Sequence, residues 1–234
     1  MHRNKLIYFT LIIIGILSFN GVALSKEISG WKDVDSVIME IEKANSAFKT
    51  LKANIIYTRT ITLLESTESS QGDVSYKKPQ RLYLKFYPPR NEINIVDGKY
   101  VWIYHPKEKQ VEKYELNQSK QPSQGMSFLE FGYGESLSAA KRDYKITLID
   151  TKEDGKKRIY ILDLKPNDQK SQYSDIRLWV EDGFWLPNRI ELYESGGEVV
   201  NIVELKDIKL NKGLSDKLFI FDVPRGVEVV EPLK

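Results

Sequence analysis

Beyond the N-terminal segment the chain holds one imidazole, His105, followed at once by Pro106. Acyl-transfer chemistry at an imidazole needs a nucleophile and an orienting carboxylate. The sequence offers no cysteine, no further histidine except His2, and no G-x-S-x-G. Paired carboxylates can act as general acid and base, and Glu181 with Asp182, or Asp150 with Glu153, are the close pairs. Both pairs flank hairpin turns, where acidic side chains are ordinary because they bond nearby backbone. A phosphate loop, a dinucleotide fingerprint and zinc or calcium spacings are all missing. The sequence therefore predicts no catalytic residue, no cofactor, no metal and no enzyme.

What remains is apolar binding, and it is concentrated between Pro79 and Pro106. Leu82, Leu84 and Phe86 alternate with Arg81, Tyr83, Lys85 and Tyr87, so the aliphatic set shares one face of a strand. After Pro88 and Pro89, Ile93 and Ile95 are expected to continue that face. Asp97-Gly98 then turns the chain so that Val101 and Ile103 join it. Tyr100, Trp102 and Tyr104 fall on the opposite side, as an outer covering or beneath a connection. An antiparallel sheet with one such greasy face must bury it against a core or enclose something apolar.

The elements that position this face begin with a helix. Asp33 is a capping residue before Val34, Val37, Ile38, Ile41, Ala44, Phe48 and Leu51, which recur at helical spacing. It can belong to the core or rest on the mouth of a barrel as a lid. Strands follow at 55–64 and, after a polar connection, at 72–77, then through the Pro79–Pro106 region and at 110–116. Alternation stops between Asn117 and Arg142, where Met126, Phe128, Leu129 and Phe131 lie among glycines. It resumes at 144–150, 158–165, 174–181, 186–194 and 198–209, with Asp-Gly or Gly-Gly turns inside the hairpins. The fold class is mainly β with a few helices. A meander of about 10–11 strands curls into a barrel or a strongly bent half-barrel.

Residues 1–25 read as a cleaved export signal, with His2, Arg3 and Lys5 before an apolar run and Ala23 and Ser25 at the cleavage region. That run falls short of the about 20 residues that span a bilayer. A single domain over 26–234 is expected. With no cysteine after the signal there is no lipid anchor, which predicts a free periplasmic protein. Without Arg3 and Lys5, basic and acidic residues balance, so no basic footprint for nucleic acid exists.

The segment V-D-G-K-Y-V-W-I-Y-H-P, 96–106, preceded by K-K-P-Q-R-L-Y-L, 77–84, resembles the LolA-type periplasmic lipoprotein carriers. The similarity runs on through Y-I-L-D-L-K-P (160–166), I-R-L-W-V-E-D-G (176–183) and F-I-F-D-V-P-R-G-V-E-V (219–229). The resemblance implies an incomplete antiparallel β-barrel whose apolar cavity, closed by helical lids, holds lipoprotein acyl chains. It implies an acylated lipoprotein as cargo, an inner-membrane ABC transporter as donor, an outer-membrane acceptor, and a monomer. Cavity-lining residues are then Leu82, Leu84, Phe86, Ile93, Ile95, Val101 and Ile103. Lid and release residues are Lys78, Met126, Phe128, Leu129 and Phe131. Lys78 stands where the family often has an arginine implicated in lid opening, and it lacks that residue's planar fork. A carrier of free lipid or glycolipid and a lipoprotein-sensing regulatory module are the alternatives.

Overall fold

Helix α1 (Val34–Ala47) starts where the Asp33 carboxylate accepts the Ser36 N–H at 2.7 Å, a side-chain cap that also holds the Asp33 pKa down. Its buried residues are Val37, Ile38, Ile41 and Asn45, and Phe48 ends it in extended conformation. The computed structural model describes residues 31–116, 131–134, 136–168 and 170–232. Residues 32–234 make up one compact unit.

Six strands follow α1 as a meander: β1 (Thr50–Ile61), β2 (Ser66–Lys77), β3 (Arg81–Phe86), β4 (Glu92–Val96), β5 (Tyr100–His105) and β6 (Gln110–Glu115). The short helix α2 (Leu137–Ala140) precedes a second meander of β7 (Tyr144–Asp154), β8 (Lys157–Pro166), β9 (Tyr173–Glu181), β10 (Pro187–Glu194) and β11 (Val199–Leu210). β1 pairs with β11 and fuses the two into one sheet, whose far edge beyond β6 is a twelfth strand, β12 (Glu228–Val230). The strand order is β12-β6-β5-β4-β3-β2-β1-β11-β10-β9-β8-β7. The edges β12 and β7 do not meet, so the barrel stays open.

Two features differ from the sequence-based expectation. The polar stretch before Gly72 is strand, because β1 and β2 pair in unbroken register from Thr50↔Lys77 to Ile61↔Ser66. Its Ser and Thr residues form cross-strand contacts, Thr60 with Thr67 at 3.2 Å and Thr58 with Ser69 at 3.4 Å. The final strand, β12, pairs in parallel with β6. The apolar run before it is no strand: Phe219 is buried at the end of a 3-10 turn, and Phe221 covers Trp102 and Tyr104, each 5.5 Å away. Those rings therefore pack beneath the C-terminal segment on the outer face.

Gly72 allows β2 and β3 to approach closely. A Cβ there would lie 2.0 Å from the Lys85 carbonyl oxygen, which no side chain can accommodate.

Candidate functional site

Strand register assigns each predicted apolar residue to a face. Leu82 pairs with Val96 and Val96 with Val101, while Leu84 pairs with Asn94 and Asn94 with Ile103. Leu82, Leu84, Phe86, Val101 and Ile103 thus lie together on one inner face, all buried, with Phe86 at 0% exposure. Ile55 and Leu205 carry that floor across β1 and β11.

Ile93 and Ile95 do not belong to it. They pair with Lys85 and Tyr83 on one side and with Tyr104 and Trp102 on the other, which places them on the outer face. The even-numbered phase of β3 carries through the turn at Tyr87–Asn91, so β4 presents Glu92, Asn94 and Val96 inward instead. Ile95 is buried nonetheless, on the face whose Trp102 lies under Phe221.

At one end of the inner face α1 is fastened to the sheet. Phe48 sits 6.3 Å from Tyr76 of β2 and 6.0 Å from Tyr133. Lys78 Nζ rests 4.0 Å from the centre of the Phe48 ring and donates to the Asn45 carbonyl at 2.5 Å and to Asn45 Oδ1 at 2.6 Å. The last carbonyls of a helix lack partners and carry partial negative charge. α1 has no basic residue in its own last turn, so Lys78 supplies the cation from outside. Burial lowers the Lys78 pKa, and Glu42 opposes that shift. Asn211 adds a second tie, accepting the Lys49 N–H at 2.7 Å. On its other side α1 meets α2, where Glu42 Oε1 accepts from Ser136 Oγ and the Ser138 N–H, both at 2.8 Å. Phe131 is buried edge-on against Tyr144 at 5.8 Å. Met126, Phe128 and Leu129 lie outside the described residues.

The opposite end of the inner face is polar. Arg90 lies 4.0 Å over the Phe86 ring and donates to Glu92 Oε1 at 2.8 Å, which also accepts from Asn94 Nδ2 at 2.8 Å. Tyr57 donates to Asn201 Oδ1 at 2.7 Å, and Asn201 Nδ2 donates to Glu194 at 2.8 Å. Beside them opens a cleft of about 640 Å³ lined by Tyr57, Arg59, Glu68, Ser69, Ser70, Pro89 and Arg90.

The residues that first suggested chemistry are held in structural roles. Glu181 bridges Lys157 at 2.7 Å, Asp182 accepts the Arg158 N–H at 2.9 Å, Asp150 faces Lys152 at 3.7 Å, and His105 faces Glu112 at 3.5 Å. Among the described residues no cluster of three or more His, Asp or Glu could hold a metal, and no helix is long and apolar enough to cross a membrane. Sequence reasoning missed Glu42, Asn45 and Arg90. Only Asn45 carried a signal, as a polar residue on the buried stripe of α1.

The result is an open, half-wrapped sheet with an aliphatic inner face and a helix fastened at one end. The chain belongs to the LolA family, whose description, "Outer membrane lipoprotein carrier protein LolA", matches residues 46–222. An outer-membrane lipoprotein carrier protein of Legionella pneumophila (strain Lens) is 29% identical over 186 residues, covering 80% of this chain and 85% of the relative. One from Pseudomonas putida (strain W619) is 24% identical over 233 residues, covering 99% and 100%. The fold is similar to that of an uncharacterized conserved protein from Thermus thermophilus, at TM-score 0.55 and 12% identity, covering 84% of this chain and 98% of that one.

Proposed function

We propose that this protein is a periplasmic carrier that holds the acyl chains of lipoproteins on the inner face of the half-barrel. In this reading it collects cargo from an inner-membrane ABC transporter and delivers it to an outer-membrane acceptor. The observation that carries the proposal is a continuous aliphatic floor with a helix fastened at its end by few polar ties. Leu82, Leu84, Phe86, Val101 and Ile103 form the floor, and α1 is tied at its end by Lys78 through two neutral oxygens of Asn45.

The energies fit an exchange. A C16 acyl chain of about 15 methylenes costs on the order of 12 kcal/mol to hold in water. Val37, Ile38, Ile41 and Phe48 are buried when the cover is closed, and at ~1.5–3 kcal/mol each they recover about 6–12 kcal/mol. Cargo and helix therefore compete for one surface with similar strength, which suits a carrier that must both hold and release. Lys78 is the release residue in this reading: breaking its two bonds loosens the C-terminal end of α1, which Asn211 still holds through Lys49 and Ala47. Phe131, and on their apolar sequence alone Met126, Phe128 and Leu129, complete the lid.

The test uses the mature protein and energised inner-membrane vesicles bearing a radiolabelled triacylated lipoprotein. A photo-crosslinking benzoyl-phenylalanine is placed at Phe86 or, as the outer-face comparison, at Tyr104. ATP-dependent release of a soluble one-to-one complex, crosslinked from position 86 and not from 104, is the expected result. Equal crosslinking from both positions would overturn the inner-face assignment. No release, with lipid still bound to protein purified from cells, would replace lipoprotein by free lipid as cargo.

A further inference from the structure

The polar cleft lies one ring away from the apolar floor. Tyr57 lines it, and Tyr57 is 6.1 Å from Phe86, whose ring in turn lies beneath the Arg90 guanidinium. Phe86 is thus shared: its aliphatic neighbours form the floor, and its upper face carries a cation.

Arg59, on the same inner face of β1 as Tyr57, is the unusual member of the cleft. Its Nε is shut off from solvent and has no hydrogen-bond partner among the described residues. A desolvated guanidinium N–H left without an acceptor is costly, and turning the Arg59 side chain toward an oxygen anion in the cleft relieves it. Other charges there are already committed. Glu92 accepts from both Arg90 and Asn94, and Glu194 accepts from Asn201. Glu68 pairs with Arg59 in the strand register but is exposed on the rim of the cleft.

We propose that this cleft is a headgroup subsite, in which Arg59 and Arg90 take the phosphate or carboxylate of an acylated ligand whose chain lies over Phe86. The inference rests on the acyl-carrier reading and adds to it a preference for ligands with an anionic group beside the acyl attachment. Arg59 is the discriminating residue because its N–H is unspent. Arg90 positions the anion above the Phe86 ring while remaining bonded to Glu92.

The experiment measures displacement of a fluorescent acyl probe by palmitoyl lysophosphatidic acid and by monopalmitoylglycerol, each below its micellar concentration. The two competitors share chain and glycerol and differ in the phosphate. The phosphate lipid should displace at about tenfold lower concentration, the gain expected for one charge-assisted hydrogen bond set. Arg59→Gln should bring the two lipids to within about twofold by weakening the phosphate lipid alone, Arg59→Lys should keep most of the preference, and Glu68→Gln should enlarge it. Equal displacement by both lipids in the wild type, or a preference that survives Arg59→Gln, would overturn the subsite and leave the carrier reading standing. Displacement by inorganic phosphate at the same concentration as the lipid would make the cleft a site for a free anion and also overturn it. Failure of both lipids to displace the probe would overturn the carrier reading together with the subsite.

Discussion

Two cations in this molecule each stand 4.0 Å above a buried phenylalanine, Lys78 over Phe48 and Arg90 over Phe86, and they are held in opposite ways. Lys78 donates to a helix carbonyl and an amide oxygen, both neutral, and both on a single residue of α1. Arg90 donates to the carboxylate of Glu92, a residue of the sheet that is itself bonded to Asn94. Breaking the first contact costs two hydrogen bonds to neutral acceptors. Breaking the second strands a largely buried carboxylate. On the proposed carrier reading, the cations mark a releasable end and a fixed end of the same inner face.

That contrast is most exposed to failure at Arg90. Arg90→Met keeps the apolar contact with Phe86 but leaves Glu92, whose side chain is 12% exposed, with Asn94 alone. A loss of about 3 kcal/mol is expected in urea unfolding, the usual cost of removing one partner of a buried ion pair. Adding Glu92→Gln in that background should recover most of it. If Arg90→Met costs no more than a change at Lys78, the two ends do not differ.

A smaller effect is expected from Lys78→Met, a loss of about 1–2 kcal/mol as the Asn45 oxygens lose their donor. The location of the loss sharpens the comparison. Amide hydrogen exchange should accelerate through Val34–Ala47 while β3 and β5 keep their protection, because α1 opens as a unit without the sheet. Equal acceleration in helix and strands would show that α1 is no separable cover.

Much of the floor was legible in sequence, and the reason it was not wholly so is local. Leu82, Leu84, Phe86, Val101 and Ile103 sit in uninterrupted strands, where period two assigns a face directly. Ile93 and Ile95 failed because aliphatic character was followed across the turn at Tyr87–Asn91, whereas the even-numbered phase of β3 in fact continues through it to Glu92, Asn94 and Val96. The first half of β2 was hidden by its Ser, Thr and Glu content, which reads as a connection until β1 is seen to pair with it. Pairing of β1 with β11 joins residues far apart in the chain, and no local pattern encodes it. Lys78 was found by resemblance alone. Arg90 could not be found, since its value comes from the ring beneath it and a carboxylate two residues on.

Alkaline titration separates the two ends by sign. Burial pushes the Tyr57 hydroxyl, at the polar end, up from 10.0 to about 12, against the pull of Arg90 and Arg59. The unfolded chain therefore releases this proton first, so the stability from neutral Tyr57 is complete below pH 10.0 and is lost as pH rises through about 12. Lys78 behaves inversely and lower on the scale: burial lowers its pKa from 10.5, so as pH rises towards 10.5 the unfolded state holds more protons and the Lys78 contribution rises with pH. Tyr57→Phe should make the fall in urea midpoint above pH 10.0 shallower, and Lys78→Met should tilt the profile downward only as pH approaches 10.5 from below. Tyr114, also raised to about 12 by burial and its bond to Glu112, keeps some of the fall in both variants, so the reading is the difference in slope from wild type. Slopes that change in the same direction would mean that the two ends answer to one environment, and the distinction between a releasable and a fixed cation would go with it.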